Sequence, residues 1–280
     1  MLHGVRPSSE AGPPLAGLPA VRRPASMSAM STPTTPIRDR FALVTGASSG
    51  IGRAVAERLV ADGWRVTALV RRDAAPAGVR IALGDATDPA AIAQAVAAAS
   101  PDGRLDALVC AAGVPPSGPW DDPGHWRETL AVDLTAPYET ARLAWPALAA
   151  ARGSVVLVGS IVGAHEGSLR SPAYAAAKAG LEGLSRSLAV IGGPEGIRVN
   201  VVAPGAIDTP FDPPSFPADD RPDVPLGRMG TAAEVAAVVA FLCSGDAAYV
   251  SGAVWGVDGA RTSLSPAAAA GAGLRRATAR

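Results

Sequence analysis

The chain has 280 residues, a length suited to one large α/β domain with tails, and it carries 25 acidic and 25 basic residues. A net charge of zero argues against nucleic acid or an anionic membrane as partner. No apolar run reaches the ~20 residues that span a bilayer. Cys110 and Cys243 lie in apolar segments, as buried thiols do in a reducing, cytoplasmic compartment. The few His and Cys residues show no metal-ligand spacing, so no metal is expected.

The two ends of the chain differ in composition from the middle. Residues 1–38 are rich in Pro, Ala, Ser, Gly and Arg and lack periodicity, which predicts a disordered tail. An over-long gene start, with Met27 or Met30 as the true first residue, is favoured over a transit peptide. Residues 262–280, rich in Ala, Gly and Arg, predict a second disordered tail. One folded domain is therefore expected over residues 39–261.

The folded domain opens with a strand, a glycine-rich turn and a helix. Residues 41–44 are an apolar run, residues 45–52 follow the spacing Gly-x-x-x-Gly-x-Gly, and Ile51, Val55 and Leu59 then form one apolar stripe. Glycines let the backbone approach a ligand, and the helix N-terminus attracts an anion, so this pattern predicts a phosphate site. The alternative is a plain glycine turn in an α/β protein.

Apolar runs then alternate with helical patterns along the chain. This alternation predicts an α/β fold, with a single Rossmann-type, doubly wound parallel sheet and helices on both faces. A long helical region is expected over residues 126–150, with a kink at Pro146. Further strands are expected at residues 65–70, 79–83, 105–110, 155–158, 198–202 and 253–257.

Tyr174 and Lys178 are the first candidates for chemistry. Ser171-Pro172 has the residue types of a helix start, a hydroxyl N-cap followed by proline, so Tyr174 and Lys178 share one face of that helix. An ammonium beside a phenol lowers the phenol's pKa from about 10 towards the range useful for acid–base catalysis. Ser160 follows a buried strand, and its hydroxyl is expected at the sheet edge where such folds bind ligands.

The end of the second strand indicates which dinucleotide is preferred. An acidic residue there binds a ribose 2′-hydroxyl, whereas an arginine accommodates a 2′-phosphate. Val70 occupies the acid's position and Arg71 follows it, which favours NADP(H) over NAD(H); a solvated loop charge is the alternative for Arg71. Asp85 is a candidate acceptor for the adenine amino group, and its alternative role is helix capping, for which Thr87 and Asp88 compete.

Taken together, these motifs resemble the classical short-chain dehydrogenases/reductases, and among them the branch of 3-oxoacyl-(acyl-carrier-protein) reductases. The resemblance covers about residues 39–261 and implies an enzyme that interconverts a carbonyl and an alcohol with a nicotinamide cofactor. The matching residues are Thr45-Gly46-x-x-x-Gly50-Ile51-Gly52, Asp85, Ala112-Gly113, Ser160, Tyr174-x-x-x-Lys178, Asn200, Pro204-Gly205 with Ile207 and Thr209, and Val257-Asp258-Gly259.

The resemblance also implies residue roles. Tyr174 is the general acid for reduction or the base for oxidation, Lys178 lowers its pKa and holds the nicotinamide ribose, and Ser160 binds the substrate oxygen. The residues expected to bind the cofactor, beside Tyr174 and Lys178, are Gly46, Ser48, Ser49, Gly50, Ile51, Gly52, Arg71, Asp85, Ala86, Ala112, Gly113, Pro204, Gly205, Ile207 and Thr209.

Two departures from the family pattern lie close to the expected chemistry. The family's Asn-Asn-Ala-Gly is Cys110-Ala111-Ala112-Gly113 here, so a side chain that braces the sheet is missing. The family's catalytic Asn, which acts largely through its backbone carbonyl on a water chain to the lysine, is Asp133 here. Asp133 keeps that carbonyl, but an ionised carboxylate near Lys178 would favour the ammonium and slow proton relay.

Two further departures concern cofactor choice and loop length. Ser49 stands where NADP-preferring members often carry Arg or Lys, which weakens the NADP prediction. The spacing from Ser160 to Tyr174 is one residue longer than the commonest one, so either a loop insertion absorbs the difference or Ser160 is imperfectly placed.

Two rival functions stay open at this point. One keeps the site but makes NAD the cofactor and alcohol oxidation the direction; the other is a non-catalytic dinucleotide-binding regulator. The substrate is expected to be a small carbonyl or alcohol compound. The acidic segment at residues 210–225 predicts an open cleft with little attraction for anions. The resemblance further implies a homotetramer or homodimer built through the long helix, the Tyr174 helix and the last strand.

Overall fold

The computed structural model describes residues 38–168, 171–211 and 224–264. Nearly all of both predicted tails, and residues 212–223 of the proline-rich segment, lie outside these ranges. Within the described ranges, a short 3-10 turn at Arg261–Ser263 follows the last strand.

Seven parallel strands form the main sheet, in the order β3-β2-β1-β4-β5-β6-β9. This order confirms the predicted doubly wound parallel fold, because the chain reverses its direction of winding between β1 and β4. The strands of the main sheet are β1 (Phe41–Thr45), β2 (Arg65–Val70), β3 (Arg80–Leu83), β4 (Ala107–Cys110), β5 (Ser154–Val158), β6 (Arg198–Pro204) and β9 (Val254–Val257). Two short strands, β7 (Ile207–Asp208) and β8 (Gly230–Thr231), pair separately.

Helices cover both faces of the sheet, and each face has its own apolar cluster. Val55 of α1 and Val239 of α7 pack in one cluster with Val44 of β1. Leu148 of α4 and Leu181 of α6 pack in the other cluster, against strand side chains that point to the opposite face of the sheet. The helices are α1 (Gly50–Ala61), α2 (Pro89–Ala99), α3 (Pro123–Leu130), α4 (Ala136–Ala151), α5 (Ile161–Ala164, a single irregular turn), α6 (Pro172–Gly192) and α7 (Ala232–Cys243).

The long helical region between β4 and β5 departs from the prediction. Its irregularity lies at Ala131–Thr135, a π-helical turn between α3 and α4, and α4 continues through Pro146. Pro146 removes one hydrogen bond to the carbonyl of Arg142, but both residues are exposed, so water can satisfy that carbonyl. The π turn is the feature that matters for the site, because it carries Asp133 into the protein interior.

The winding reversal places the carboxyl ends of β1 and β4 next to each other. Thr45, the last residue of β1, is in register with Cys110, the last residue of β4. The Thr45 hydroxyl oxygen accepts the amides of Ala111 and Ala112, each over 3.2 Å. This contact ties the segment after β4 to the glycine turn after β1, and the crevice of the fold opens above the two.

Candidate active site

The glycine turn after β1 is shaped by close backbone contacts. Gly46 has a φ of +73°, and a Cβ there would lie 2.6 Å from the Ala112 backbone. A Cβ on Gly52 would lie 2.4 Å from the carbonyl oxygen of Gly46. These two positions therefore exclude side chains, as a tight strand–turn–helix connection requires. Gly50, with a φ of +54°, instead approaches only the side chain of Thr209, at 3.6 Å.

The N-terminus of α1 is available to an anion. Its N-cap, Ser49, makes no side-chain capping bond, and its first turn contains no acidic residue. The first amides of the helix lack intrahelical partners, and the helix dipole is positive at this end. A cavity of about 420 Å³ lies against this turn. Its lining residues are Ser48, Ser49, Gly50, Arg53, Ala54, Glu57, Asp208, Thr209, Pro210 and Ala232. A pyrophosphate fits this cradle of glycine backbone and free amides.

The adenosine-side candidates lie at the ends of β2 and β3. Val70 is buried and Arg71 is exposed directly after it. The Asp85 carboxylate accepts the amide and the hydroxyl of Thr87, each over 2.8 Å. These bonds, with a smaller contribution from the Arg71 charge, hold the pKa of Asp85 below its ordinary value. Capping of α2 belongs to Asp88, which accepts the amide of Ala90.

The remaining cofactor candidates follow the strand ends of β1, β3 and β4. Ala86, after β3, is buried. Ile51 in α1 and Ala112 and Gly113 after β4 are half-buried. Arg71 and Asp85 are thus separated from Tyr174 and Lys178 by β1 and β4, as two ends of one extended ligand would require.

Tyr174 and Lys178 lie together on the buried face of α6. Ser171 caps this helix by accepting the amide of Tyr174 over 3.2 Å, as the sequence predicts. Only 7% of Tyr174 and 6% of Lys178 are exposed. The Lys178 Nζ lies 5.4 Å from the centre of the Tyr174 ring. A phenol and an ammonium therefore share a largely water-free environment, where their electrostatic coupling is strong.

Lys178 is held by two oxygen atoms. Its Nζ donates to the carbonyl oxygen of Val158 over 3.1 Å and lies 3.5 Å from Oδ1 of Asp133. Burial alone disfavours the ammonium, but the charges of Asp133 and Tyr174 outweigh it and raise the pKa of Lys178 above its ordinary value. Lys178 is therefore charged at neutral pH.

Asp133 is a fully buried carboxyl group in the π turn. Its Oδ1 accepts the amide of Val114 over 3.2 Å, and its Oδ2 has no hydrogen-bond partner among the described residues. Burial raises the pKa of Asp133, while Lys178 and the Val114 amide oppose that rise. A Cβ on Gly113 would lie 2.7 Å from Oδ1, so the glycine makes room for the carboxylate.

Ser160 lies at the carboxyl end of β5, two residues after the strand. Its Oγ accepts the amide of Val162 over 3.1 Å and caps the single turn α5. An accepting hydroxyl keeps its proton to donate to another group. Gly163 takes a φ of +118° in this turn, and Glu166 pairs with Arg261 over 2.7 Å. Residues 161–166, the first part of this loop, thus form a turn that an ion pair joins to Arg261.

The segment after β6 closes the other side of the crevice. The Gly205 amide donates to the carbonyl of Val257 over 3.0 Å, and a Cβ on Gly205 would lie 2.8 Å from the Asp258 Cβ. Pro204 and Ile207 are buried, and Thr209 borders the cavity at the glycine turn. The predicted nicotinamide-side residues therefore lie on the strand end next to that of β5.

Phe211 is a site residue that the sequence did not reveal. Its ring centre lies 6.5 Å from that of Tyr174, and one of its ring carbons lies 3.8 Å from the place of a Cβ on Gly113. Phe211 therefore lies over the same crevice as Tyr174. The segment that carries it has no apolar periodicity, and no sequence signal distinguishes this residue.

The described ranges contain neither a candidate metal-binding cluster nor a candidate membrane-spanning helix. No cluster of three or more His, Cys, Asp or Glu side chains there could hold a metal ion. None of the helices in those ranges is long and apolar enough to cross a membrane.

Comparisons with known proteins show which family the chain is similar to. Residues 46–261 match the family model described as enoyl-(acyl carrier protein) reductase. The chain is 40% identical to cis-4-hydroxycyclohexanecarboxylate dehydrogenase from Sinomonas cyclohexanicum, across 81% of this chain and 98% of that protein. It is 37% identical to 3-oxoacyl-[acyl-carrier-protein] reductase FabG from Salmonella typhimurium, across 79% of this chain and 96% of the relative.

Solved structures lead to the same family. The ligand-free aldohexose dehydrogenase of Thermoplasma acidophilum superposes with a TM-score of 0.76 and 32% identity, covering 82% of this chain and 96% of that one. Levodione reductase superposes with a TM-score of 0.74 and 31% identity, covering 81% and 99%. The protein belongs to the short-chain dehydrogenase/reductase family, in the branch of the 3-oxoacyl-(acyl-carrier-protein) reductases, and is an oxidoreductase that acts on CH–OH and C=O groups with NAD(P).

Proposed function

We propose that the protein is an NADP(H)-dependent carbonyl reductase in which Tyr174 is the general acid, and the general base when an alcohol is oxidised. One observation carries this proposal. Tyr174 and Lys178 form a buried pair on α6, and Lys178 is bonded to the end of β5, two residues before Ser160. Tyr174 and Lys178 therefore lie beside the strand end that leads to Ser160, the third group suited to carbonyl chemistry.

The cofactor would be held along the whole crevice, and when bound it supplies the hydride chemistry. Its pyrophosphate suits the free amides of α1, the glycines at 46, 50 and 52, and the hydroxyls of Ser48 and Ser49. Asp85 and Ala86 would border the adenine, Ala112 and Gly113 the middle, and Lys178 the nicotinamide ribose. The residues assigned to the nicotinamide end are Pro204, Gly205, Ile207 and Thr209.

The protein's own groups would transfer one proton and stabilise one developing negative charge. Ser160 would donate to the substrate oxygen and stabilise negative charge on it, an effect worth ~10²–10³-fold in rate per donor. The Tyr174 hydroxyl would transfer its proton to the same oxygen, and general acid catalysis contributes ~10²–10⁴-fold. The Lys178 ammonium stabilises the phenolate left behind, because the two groups meet in a water-poor environment.

Preference for NADP(H) over NAD(H) is supported by the end of β2. A buried, uncharged Val70 cannot accept from a ribose hydroxyl, and the exposed guanidinium of Arg71 is suited to a 2′-phosphate. The rival assignment, an NAD-dependent alcohol dehydrogenase, leaves Arg71 as an ordinary surface charge.

For the substrate we propose a ring ketone or ring alcohol. The name of the Sinomonas relative specifies a hydroxylated cyclohexane ring. In this chain, the Phe211 ring provides an aromatic wall beside Tyr174. An aromatic face gains most of its contact area from a flat or cyclic partner.

A cytoplasmic homotetramer or homodimer completes the proposal. Among the described residues, the elements expected at the interfaces carry exposed apolar side chains: Tyr138 on α4, Val190 and Ile191 on α6, and Trp255 on β9. Such side chains favour contact with a second copy. Light scattering that shows only monomer would refute this part. Cys110 and Cys243 are both free thiols, which agrees with a reducing compartment.

The central test is the Tyr174→Phe variant. Loss of NADPH-dependent turnover by at least ~10²-fold, with NADPH binding nearly intact, is the expected result. Ser160→Ala should lose ~10²-fold, and Ser187→Ala, an exposed hydroxyl on the same helix as Tyr174, should lose nothing. Full turnover by Tyr174→Phe would overturn the proposed mechanism.

A broad substrate panel separates the proposal from its rivals. Nicotinamide absorbance is followed with NADPH and with NADH against cyclic ketones, linear ketones, aldehydes, quinones and a β-ketoacyl thioester. Turnover with NADPH supports the assignment, and a preference for NADH supports the NAD-dependent alternative. Tight cofactor binding with no turnover on any carbonyl would favour the dinucleotide-binding regulator.

A further inference from the structure

The ion pair between Asp133 and Lys178 is the most unusual charge arrangement in the described part of the chain. Asp133 is 0% exposed and Lys178 is 6% exposed, and their nearest atoms are 3.5 Å apart. Isolated charges are strongly disfavoured in such an interior, and one charge remains there only if the other compensates it. The two groups are therefore expected to depend on each other.

Hydrogen bonding around the pair leaves Asp133 as the main compensating group. Lys178 also donates to the carbonyl oxygen of Val158, which is neutral and compensates no charge. Asp133 accepts one amide through Oδ1, and its buried Oδ2 has no partner among the described residues. The Val114 amide alone does not require a charged acceptor, since the oxygen of an amide side chain could accept it equally well.

We propose that Asp133 is a positioning residue that acts through Lys178: its buried carboxylate is the counter-ion that keeps Lys178 charged and directed towards Tyr174. This proposal rests on the proposed function only for its catalytic consequence. Its structural part, the mutual dependence of two buried charges, stands without a cofactor or a substrate.

Two other titratable groups act on Lys178. Tyr174 lies on the same helix, and Cys110 lies at the end of β4. Burial raises the pKa of Cys110 to about 12, so it stays a neutral thiol between pH 7 and 10. Tyr174 carries an ionisable phenol. Stability is therefore measured in a Tyr174→Phe background, where the phenol makes no contribution.

The stability test compares Asp133→Asn in that background with and without Lys178→Met. At pH 7, Asp133→Asn should lower Tm by about 10 °C, because it strands a buried ammonium. With Lys178→Met also present, adding Asp133→Asn should change Tm by less than about 3 °C, because no buried charge remains. Equal losses in both backgrounds would overturn the proposal and leave Asp133 as a partner of the Val114 amide only.

A pH series tests the proposal independently, through the direction in which the Tm difference changes with pH. In the natural chain the pKa of folded Lys178 is raised, and Asp133 is the largest cause of that rise. We expect Asp133 alone to keep this pKa above the unfolded value, near ~10.4, so that the contribution of Lys178 to stability is constant up to that pH. Without Asp133, burial lowers the pKa of folded Lys178, so the folded state releases its proton first and gains stability as pH rises. The Tm difference should therefore shrink from pH 7 to pH 10. A constant difference would contradict the proposal.

Asp106→Asn is the matched control. Asp106 is also largely buried and accepts a backbone amide, that of Phe41. It lies directly before β4, at the amino end of the strand, whereas the proposed site lies at the carboxyl ends. Its replacement should lower Tm equally with and without Lys178→Met. If Asp133→Asn fails to fold, the Asp133→Asn, Lys178→Met chain decides: folding supports the counter-ion role, and failure to fold overturns it.

The catalytic consequence is measured in the chain that retains Tyr174. Asp133→Asn removes a negative charge from the Tyr174–Lys178 pair, so the pair should release its first proton at lower pH. The pH profile of kcat/KM for alcohol oxidation should move to lower pH by about one unit. If the pH profile is unchanged although the stability test supports the ion pair, Asp133 contributes to stability only. The proposed effect of Asp133 on catalysis is then overturned. Turnover by Tyr174→Phe would refute the proposed function but leave the stability result untouched.

Discussion

Lys178 on α6 donates to the carbonyl oxygen of Val158, the last residue of β5, over 3.1 Å. Ser160 follows two residues later and caps its own turn. The bond thus fixes the helix that carries Tyr174 against the strand end that carries Ser160. Because both elements belong to the packed core of the sheet, the distance between the proposed acid, Tyr174, and the hydroxyl proposed to bind the substrate, Ser160, is set by rigid parts of the fold.

Arg71→Ala is expected to separate the two cofactors. Removal of a guanidinium that binds a 2′-phosphate should raise KM for NADPH by roughly 10–100-fold and leave KM for NADH unchanged. Arg72→Ala, the exposed neighbour, is the control and should change neither value. Steady-state kinetics with both cofactors make the measurement. An NAD preference that Arg71→Ala does not alter would overturn this interpretation of the β2 end.

Gly52→Ala tests the cradle at the start of α1. The new methyl group would lie 2.4 Å from the carbonyl oxygen of Gly46, so the turn must shift away from its ligand. We expect cofactor affinity to fall at least ~10-fold, together with a lower Tm. Gly183→Ala on α6 meets no atom within 4 Å and should leave affinity unchanged while stabilising the helix by ~0.5–1 kcal/mol. If Gly52→Ala and the natural chain bind the cofactor with equal affinity, the proposal that this turn holds the cofactor is contradicted.

Local rules predict most of the fold and part of the site. The Ser171-Pro172 start, the four-residue spacing of Tyr174 and Lys178, and the glycine turn all depend on neighbours in sequence, and the structure has them where the sequence placed them. Thr231 and Glu234 form a capping box at the start of α7, a feature of the same local kind. Each feature is decided within one or two turns of backbone.

Features that depend on tertiary packing could not be predicted from the sequence. The π turn at Ala131–Thr135 shifts the helical phase, so periodicity alone could not place Asp133 beside Lys178. The kink expected at Pro146 stays a prediction, and α4 continues through that residue. Phe211 reaches Tyr174 from a segment without regular structure, and only the folded backbone shows that contact.

Phe211→Ala should affect large substrates more than small ones. Loss of the aromatic wall beside Tyr174 should lower kcat/KM for cyclohexanone by roughly 10-fold, and for acetone by much less, because the smaller ketone has little surface to lose. Phe211→Leu, which keeps an apolar side chain, should recover part of the loss. Competition kinetics with the two ketones measure the ratio directly. A proportional loss for both ketones would exclude a role in substrate shape.

Glu234 is expected to give the fold a defined acid sensitivity near the site. The Arg228 guanidinium, followed by the amide and hydroxyl of Thr231, lowers the pKa of Glu234 to about 2. A depressed carboxyl pKa contributes stability above the unfolded value, near 4.5, and that stability disappears as pH falls through about 2. The Tm of Glu234→Gln should therefore lie below that of the natural chain at pH 7 and approach it as the pH falls from 4.5 towards 2.

Thermal melts at low ionic strength measure this effect best, because salt screens exposed charges. Arg228→Gln should remove only part of the difference, since the two bonds from Thr231 remain. A Tm difference between Glu234→Gln and the natural chain that stays constant from pH 7 to 2 would show that the carboxylate acts through packing and not through its charge.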